Sequence, residues 1–232
     1  MAPADQRVSP SGTDQHVFMK QVRAALGRGR TAEPPSSPVV DADLVRLART
    51  GDDLMSLFAA NAELSGMTVE RTPESQIEAC MMAWLTELGA KSIVLGFSDA
   101  ERSAAIEGRL REAGFDIVEW RGERGLAAMF EVDVGITDVH AALAESGTLV
   151  CCADECHSRS LSLVPPAHLA VVRQRDILPD MIDYWAFAGS KSPEMRTSSI
   201  SFITGPSKTA DIEGKLITGV HGPGRVHILL VD

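Results

Sequence analysis

Short apolar runs and amphipathic segments alternate along most of the chain. Residues 92–97 and 168–172 are apolar runs of strand length, whereas residues 77–88 carry apolar side chains at helical spacing. Another strand is expected near the carboxyl end, over residues 226–231. Strands and helices that alternate in this way predict a three-layer α/β sandwich with a mainly parallel sheet.

The first 38 residues differ from the rest in composition. Their apolar positions predict one short amphipathic helix over residues 14–26, and the Pro- and Ser-rich stretch that follows predicts a linker. This N-terminal arm can pack on its own domain or lie on a partner subunit. Residues 39–232 are expected to form a single α/β domain.

Three local predictions concern the polar segments between the apolar runs. Residues 115–120 alternate as a strand, and Asp138 can cap a helix that ends at Glu145. Near the carboxyl end, a buried strand over residues 201–203 is followed by a polar loop. A helix is expected to begin at Thr209, because hydroxyls and carboxylates there can accept hydrogen bonds from free N–H groups.

The carboxy-terminal run FITGPSKTADIEGKLITGVHGP resembles the signature of the lactate utilisation protein C family, the LutC- and YkgG-like proteins with a LUD domain. Residues 135–138, 144–150 and 161–172 agree with that family in the same order. The resemblance implies the fold shared by glucosamine-6-phosphate deaminase (NagB), ribose-5-phosphate isomerase (RpiA) and the CoA transferases. It also implies a place in a three-part system that oxidises L-lactate to pyruvate.

In such systems the iron–sulfur clusters are expected in the partner proteins. This chain lacks their cysteine-rich signatures, so no cofactor is expected in it. The resemblance therefore implies a structural or substrate-handling subunit that contacts iron–sulfur partner subunits and binds a small carboxylate. Two alternatives stay open: a stand-alone enzyme acting on a CoA ester or sugar phosphate, and a regulatory module that senses a small acid.

Charge and composition narrow the range of partners and compartments. A formal net charge of −10 would repel nucleic acid and anionic membrane surfaces. No apolar run approaches the roughly 20 residues that span a bilayer, so a cytoplasmic protein without a membrane span is expected. The four cysteines are too few and too uneven for a disulfide framework, and reduced thiols are expected.

Glu145 and His221 are the candidate catalytic residues. The Glu145 carboxylate could attack an acyl thioester or act as a base, by analogy with the glutamate of CoA transferases. It can equally be a solvated or capping side chain. His221 precedes Gly222-Pro223 and suits proton transfer or ligand binding, although a histidine in such a turn can also be structural.

The candidate ligand-binding residues offer hydroxyls, amides and positive charge. The loop after residue 203 can hold a carboxylate or phosphate, although Asp211 and Glu213 oppose an anion and a purely structural turn fits equally well. Arg159 can bind a carboxylate in a bidentate manner. The predicted set is Thr137, Asp138, Thr148, Arg159, Thr204, Gly205, Ser207, Lys208 and Thr209.

Three cysteines and a histidine lie close together in the sequence, at Cys151, Cys152, Cys156 and His157. Their spacing differs from the Cys-x2-Cys pairs of zinc and iron–sulfur modules, and adjacent strand residues point to opposite faces. No metal ligands are therefore predicted.

Overall fold

The computed structural model describes residues 14–27, 36, 41–121, 125–190, 197–212 and 215–232. The chain divides into two compact units, Met1–Asp41 and Ala42–Asp232. In the first unit, helix α1 spans Gln15–Ala25, and the Asp14 side chain accepts a hydrogen bond from the His16 N–H at 2.6 Å. The amphipathic helix predicted over residues 14–26 is present.

The second unit contains the sheets and the remaining helices. Its strands are β1 (Thr68–Thr72), β2 (Ser92–Gly96), β3 (Asp116–Ile117), β4 (Val134–Asp138), β5 (Ala141–Leu143), β6 (Thr148–Cys152), β7 (Ala167–Arg173), β8 (Ile177–Leu178), β9 (Ile200–Ile203), β10 (Lys208–Ile212), β11 (Lys215–Thr218) and β12 (Arg225–Val231). Its α-helices are α2 (Leu54–Leu64), α3 (Ile77–Leu88), α4 (Ala100–Glu112), α5 (Gly125–Met129), α6 (Ser160–Leu163) and α7 (Met181–Gly189). Short 3-10 helices cover Ala42–Leu44, Glu74–Gln76 and Gln174–Asp176.

Six parallel strands form the central sheet, in the order β1-β12-β7-β4-β2-β3. Strands β4, β7 and β12 are buried almost throughout, as expected of parallel strands covered on both faces. A second sheet, ordered β8-β5-β6-β9, is mostly antiparallel, and β10 pairs with β11 as an antiparallel hairpin.

Alternate residues of β7 enter two different apolar clusters. Leu169 and Val171 pack with the buried face of α3, whereas Ala170 and Val172 pack with α2 and the second sheet. The central sheet therefore lies between a helical layer and a layer made of α2 and the second sheet. This arrangement confirms the predicted α/β sandwich with a mainly parallel sheet.

The helix predicted from Asp138 to Glu145 is wrong. Asp138 ends β4, and β5 follows at Ala141–Leu143. Residues 141–144 are all buried, and β5 pairs with β6 on one side and β8 on the other. A short segment that is buried on every side is stabilised more by pairing with two strands than by a helix, because a helix would leave one side exposed.

The helix predicted from Thr209 is also wrong, because β10 and β11 occupy this segment. Thr209 pairs with Ile217 and Lys208 pairs with Thr218. Threonine and isoleucine favour strands, and this cross-strand pairing overrides a helix-start pattern that rested on caps alone.

Two predicted strands need smaller corrections. The strand expected over residues 115–120 is limited to Asp116–Ile117. The strand over residues 201–203 is present as β9, but it is half-buried instead of buried, and Phe202 is exposed. No described helix is long and apolar enough to cross a membrane.

Candidate functional site

Four polar side chains form a continuous chain of contacts near the carboxyl end of β4. Asp138 ends this strand, and His140 lies between β4 and β5. Asp154 and His157 lie in the loop that joins β6 to α6. The hydrogen-bonded strand ends and the short helix α6 therefore position both halves of the cluster, here called the His–Asp cluster (Asp138, His140, Asp154 and His157).

His157 is buried between two carboxylates. Its Nε2 lies 2.6 Å from Asp138 Oδ1, and its Nδ1 lies 2.9 Å from Asp154 Oδ1. Because ionised carboxylates only accept hydrogen bonds, both ring nitrogens donate and the ring is an imidazolium. Asp138 also accepts a hydrogen bond from the Ser98 N–H at 3.1 Å.

His140 has the neutral tautomer that carries its proton on Nε2. The Cys152 N–H donates to His140 Nδ1 at 3.1 Å, so that Nδ1 must be unprotonated. His140 Nε2 then donates to Asp154 Oδ2 at 2.7 Å. Asp154 thus accepts from one histidine at each of its oxygens.

Asp154 also organises its own loop. Its Oδ1 accepts hydrogen bonds from the backbone N–H groups of Cys156 at 2.7 Å and His157 at 2.8 Å. The Asp154 N–H in turn donates to the His157 carbonyl at 2.9 Å. Because the loop is so tight, the side chains of Asp154 and His157, three residues apart, contact each other.

The pKa values in the cluster reflect competition between burial and hydrogen bonding. Burial disfavours the charged form of Asp154, but hydrogen bonds from His140 and His157 outweigh it and lower the pKa to about 2. Burial likewise opposes the charge on His157, but Asp138 and Asp154 raise its pKa. Burial also opposes the charge on Asp138, yet His157 and the Ser98 N–H lower its pKa.

The residues of the cluster line two cavities. A large cleft of about 1450 Å³ is lined by His140, Asp154 and His157 together with Arg159 and the aromatic side chains of Trp120, Tyr184, Trp185 and Phe187. A smaller cavity of about 950 Å³ lies at the carboxyl ends of the parallel strands, and Asp138 lines it with Arg102 and Arg173. The large cleft thus combines an aromatic wall, a guanidinium and convergent titratable groups, which is the usual composition of a ligand site.

The cysteines beside the cluster have different surroundings. Burial, followed by the neighbouring Cys152, raises the pKa of the Cys151 thiol to about 12. Cys152 lies on the cleft side, where its Sγ is 3.7 Å from the Tyr184 hydroxyl. A thiol with so high a pKa is a poor metal ligand or nucleophile, so Cys151 has a packing role.

His140, Asp154 and His157 also form a group whose ligand atoms lie close enough to hold a metal ion. One ligand atom from each residue lies within 4.8 Å of the others. Two imidazoles and a carboxylate are a common donor set for divalent transition metals.

Some of the predicted site residues meet elsewhere, around the end of α2. Thr148 Oγ1 lies 2.7 Å from Thr204 Oγ1, and Lys208 Nζ donates to the Ser65 carbonyl at 3.1 Å. Gly205 packs closely against the same Ser65 carbonyl. Lys208 and Thr209 lie in β10, so the free N–H groups of a helix start are not available to an anion there.

Glu145 lies in the tight turn between β5 and β6, and its predicted place at a helix end is wrong. Its carbonyl accepts from Asn61 Nδ2 at 3.0 Å, and its N–H donates to the Pro179 carbonyl at 2.9 Å. His221 is exposed in the turn after β11, and the Ser207 N–H donates to the carbonyl of Pro223 in the same turn. The residues that line the two described cavities do not include Glu145, Lys208 or His221.

Thr137, Asp138 and Arg159 have different surroundings. The Thr137 hydroxyl contacts His168 Nε2 at 2.9 Å inside the core, whereas Asp138 joins the His–Asp cluster. Arg159 is exposed and lines the large cleft. Of the predicted ligand-binding set, Asp138 and Arg159 therefore lie at the two cavities.

The sequence reasoning missed His140 and Asp154. The predicted helix after Asp138 places His140 on a helix face, and the cysteines around Asp154 form the more conspicuous pattern in that segment. The spacing of Asp154 and His157 was an available signal, because an Asp that caps its own loop draws the residue three positions later toward its carboxylate.

The sequence model of the LUD domain family matches residues 55–231 of this chain. The lactate utilization protein C of Halalkalibacterium halodurans is 28% identical over 224 residues, which cover 94% of this chain and 97% of that protein. The YkgG protein of Escherichia coli (strain K12) is 30% identical over 230 residues, which cover 93% of this chain and 96% of that protein.

Among solved structures, a DUF162 family protein from Deinococcus radiodurans has a similar fold. The TM-score is 0.58 at 18% identity, and the matched region covers 77% of this chain and 96% of that one. This likeness supports the α/β architecture and its layer order.

Proposed function

Because the chain belongs to the LUD domain family, we propose that it is the substrate-handling component of an iron–sulfur-linked system that oxidises L-lactate to pyruvate. The observation that carries the proposal is similarity over nearly the whole chain to proteins named lactate utilization protein C. In this proposal the large cleft binds the small hydroxy acid.

The chemistry of the cleft suits such a ligand. Arg159 offers a guanidinium for the substrate carboxylate, and the exposed edge of Asp154 can accept a hydrogen bond from its hydroxyl. The aromatic side chains Trp120 and Trp185 provide an apolar wall for the methyl group.

The iron–sulfur clusters belong, in this proposal, to partner proteins. The four cysteines of the chain lack the Cys-x2-Cys spacing of cluster ligands, and burial raises the pKa of Cys151. The role proposed for this chain is to bind and present lactate, and the electrons pass to the partners.

The test is L-lactate-dependent dye reduction by the two iron–sulfur partner proteins, with and without this chain. We expect activity to require the chain and Arg159→Ala to raise the KM for lactate at least tenfold. Arg111→Ala, which removes an exposed guanidinium on α4, is the matched control and should leave KM unchanged. Reduction that proceeds equally well without the chain would contradict the proposal.

Glu145→Gln tests the alternative of a stand-alone CoA-ester or sugar-phosphate enzyme. The turn position of Glu145, outside the two described cavities, leads us to expect unchanged lactate-dependent activity in this variant. Loss of activity in a folded Glu145→Gln protein would favour chemistry at the β5–β6 turn instead.

A further inference from the structure

We infer that His140, Asp154 and His157 form a binding site for one divalent first-row transition-metal ion, such as Zn²⁺, with an open coordination position facing the large cleft. The isolated chain would bind this ion without lactate and without partner proteins. This metal site differs from the sequence-based prediction, which considered the cysteines as ligands and found their spacing unsuitable.

The distances between the ligand atoms are close to those that a metal requires. Asp154 Oδ1 lies 2.9 Å from His157 Nδ1, and Asp154 Oδ2 lies 2.7 Å from His140 Nε2. One ligand atom from each of the three residues lies within 4.8 Å of the others. Tetrahedral Zn²⁺, with bonds of about 2.0–2.2 Å, separates its ligand atoms by roughly 3.3–3.5 Å. The most distant of the three ligand atoms lie within 4.8 Å of each other. Shifts of up to about 0.7 Å per side chain therefore bring all three to the spacing of tetrahedral Zn²⁺.

Asp138 supplies the outer carboxylate that metal-bound histidines commonly have. It accepts a hydrogen bond from His157 Nε2 at 2.6 Å and is itself held by the Ser98 N–H. With the His157 proton fixed on Nε2, the metal takes the place of the proton on Nδ1, whose lone pair points at Asp154. Such a carboxylate–histidine–metal arrangement orients the ring and raises its basicity.

His140 is the weakest of the three ligands. Its Nδ1 accepts a hydrogen bond from the Cys152 N–H, which requires the proton on Nε2. Metal binding at Nε2 moves that proton to Nδ1, so the Cys152 hydrogen bond is lost. The structure thus predicts an order of importance, with His157 and Asp154 ahead of His140.

The position of the site leaves room for a further ligand. His140, Asp154 and His157 all line the large cleft, and Asp154 keeps 41% of its side chain exposed. Three protein ligands with one face open to a cleft are typical of a catalytic or ligand-binding ion, whereas structural zinc sites are closed by four. If the chain has the function proposed above, this open position would bind an oxygen of the hydroxy acid.

The experiment is calorimetric titration of the chelator-treated full chain with ZnCl₂, together with visible absorption of the Co²⁺-loaded protein. We expect one ion per chain with a Kd in the micromolar range or tighter. His157→Ala and Asp154→Asn should each weaken binding at least 100-fold, and His140→Ala about tenfold. His16→Ala, which removes an exposed histidine on α1, is the matched control and should bind like the unaltered chain.

Asp138→Asn tests the outer carboxylate and should weaken binding about 10- to 100-fold while leaving the three ligands in place. The circular dichroism of each variant verifies that it is folded. The absence of stoichiometric Zn²⁺ binding would overturn the inference, as would equal binding by a folded His157→Ala protein. A thiolate-to-Co²⁺ charge-transfer band would also overturn it, since the ligands would then be cysteines.

Discussion

At the scale of single residues, the most informative buried group outside the His–Asp cluster is His168. Its ring lies in the middle of the parallel sheet and is completely buried. Nε2 contacts the Thr137 hydroxyl, whereas Nδ1 has no hydrogen-bond partner within the described part of the chain. Burial lowers the pKa of His168 to about 4, because the core cannot solvate a charged ring.

This lowered pKa predicts a loss of stability in mild acid. Below a pKa of about 6.5 the unfolded chain takes up a proton on His168, whereas the folded chain stays neutral until about pH 4. The stability that depends on neutral His168 is fully present above pH 6.5 and is lost as the pH falls toward 4. The free energy of unfolding should fall by about 2 kcal/mol between pH 7 and pH 5 for this reason. Urea unfolding at the two pH values measures it.

The variant His168→Gln isolates this effect from other titrating groups. This variant has no ionisable ring at position 168. Between pH 7 and pH 5 its free energy of unfolding should therefore fall less than that of the unaltered chain, by a difference of about 2 kcal/mol. An identical pH dependence in the two proteins would show that His168 is protonated in the folded state or reachable by water.

At this scale, the sequence pointed to some residues that lie at the cavities and missed others. Asp138 and Arg159 were placed among the ligand-binding residues, and the structure brings both to the cavities. The meeting of His140 with Asp154 could not be predicted, because it depends on pairing between β5 and β6. Spacing along the chain indicates which side chains share an element, but not which loops face each other.

At the scale of elements, the β5–β6 turn packs unusually closely on α2. Asn61 Nδ2 donates to the Ala144 carbonyl at 2.8 Å and to the Glu145 carbonyl at 3.0 Å. Gly147 has a φ of +63°, and a Cβ atom there would lie 2.2 Å from the backbone nitrogen of Ala62. The turn and the helix can approach this closely only because residue 147 has no side chain.

Gly147→Ala should therefore be strongly destabilising, because it combines left-handed strain with overlap against helix backbone. We expect a loss of more than 2 kcal/mol in the free energy of unfolding. Gly89→Ala is the matched control, since Gly89 has a similar φ of +71° and open space around its Cβ position. It should cost about 1 kcal/mol, from backbone strain alone.

Urea denaturation of the two variants and the unaltered chain gives the comparison. The difference between the variants measures the overlap with α2. Equal losses for Gly147→Ala and Gly89→Ala would mean that the turn can move away from the helix at little cost.

Elements with strong periodicity were predictable, and elements defined by pairing were not. Strands β2, β7 and β12 and helix α3 lie where the apolar pattern predicts them. The local pattern predicts a helix in the segment of the β10–β11 hairpin, because threonine and acidic residues by themselves favour helix starts. Its stability comes from contacts between residues in two different strands, which a local pattern does not contain.

At the scale of the whole molecule, the ends of the second unit meet in one sheet. Strand β1 near its beginning pairs in parallel with β12 at its end, so that Thr68 is opposite His227. Strand order of this kind follows from long-range packing and not from local pattern. The family resemblance, carried by a few motifs, conveyed the fold where the periodicity of the sequence could indicate only its class.

The buried apolar residues of the described chain all lie between Ala48 and Val231, and α1 buries none of its side chains. The region that matches the LUD domain family, residues 55–231, falls within the second compact unit.

A chain that begins at Ala42 should therefore fold alone, with a free energy of unfolding within about 1 kcal/mol of the full chain, because it keeps every core cluster. Urea unfolding followed by tryptophan fluorescence tests this, since Trp84, Trp120 and Trp185 are all retained. A shortened chain without a cooperative transition would show that the second unit needs the first 41 residues in order to fold.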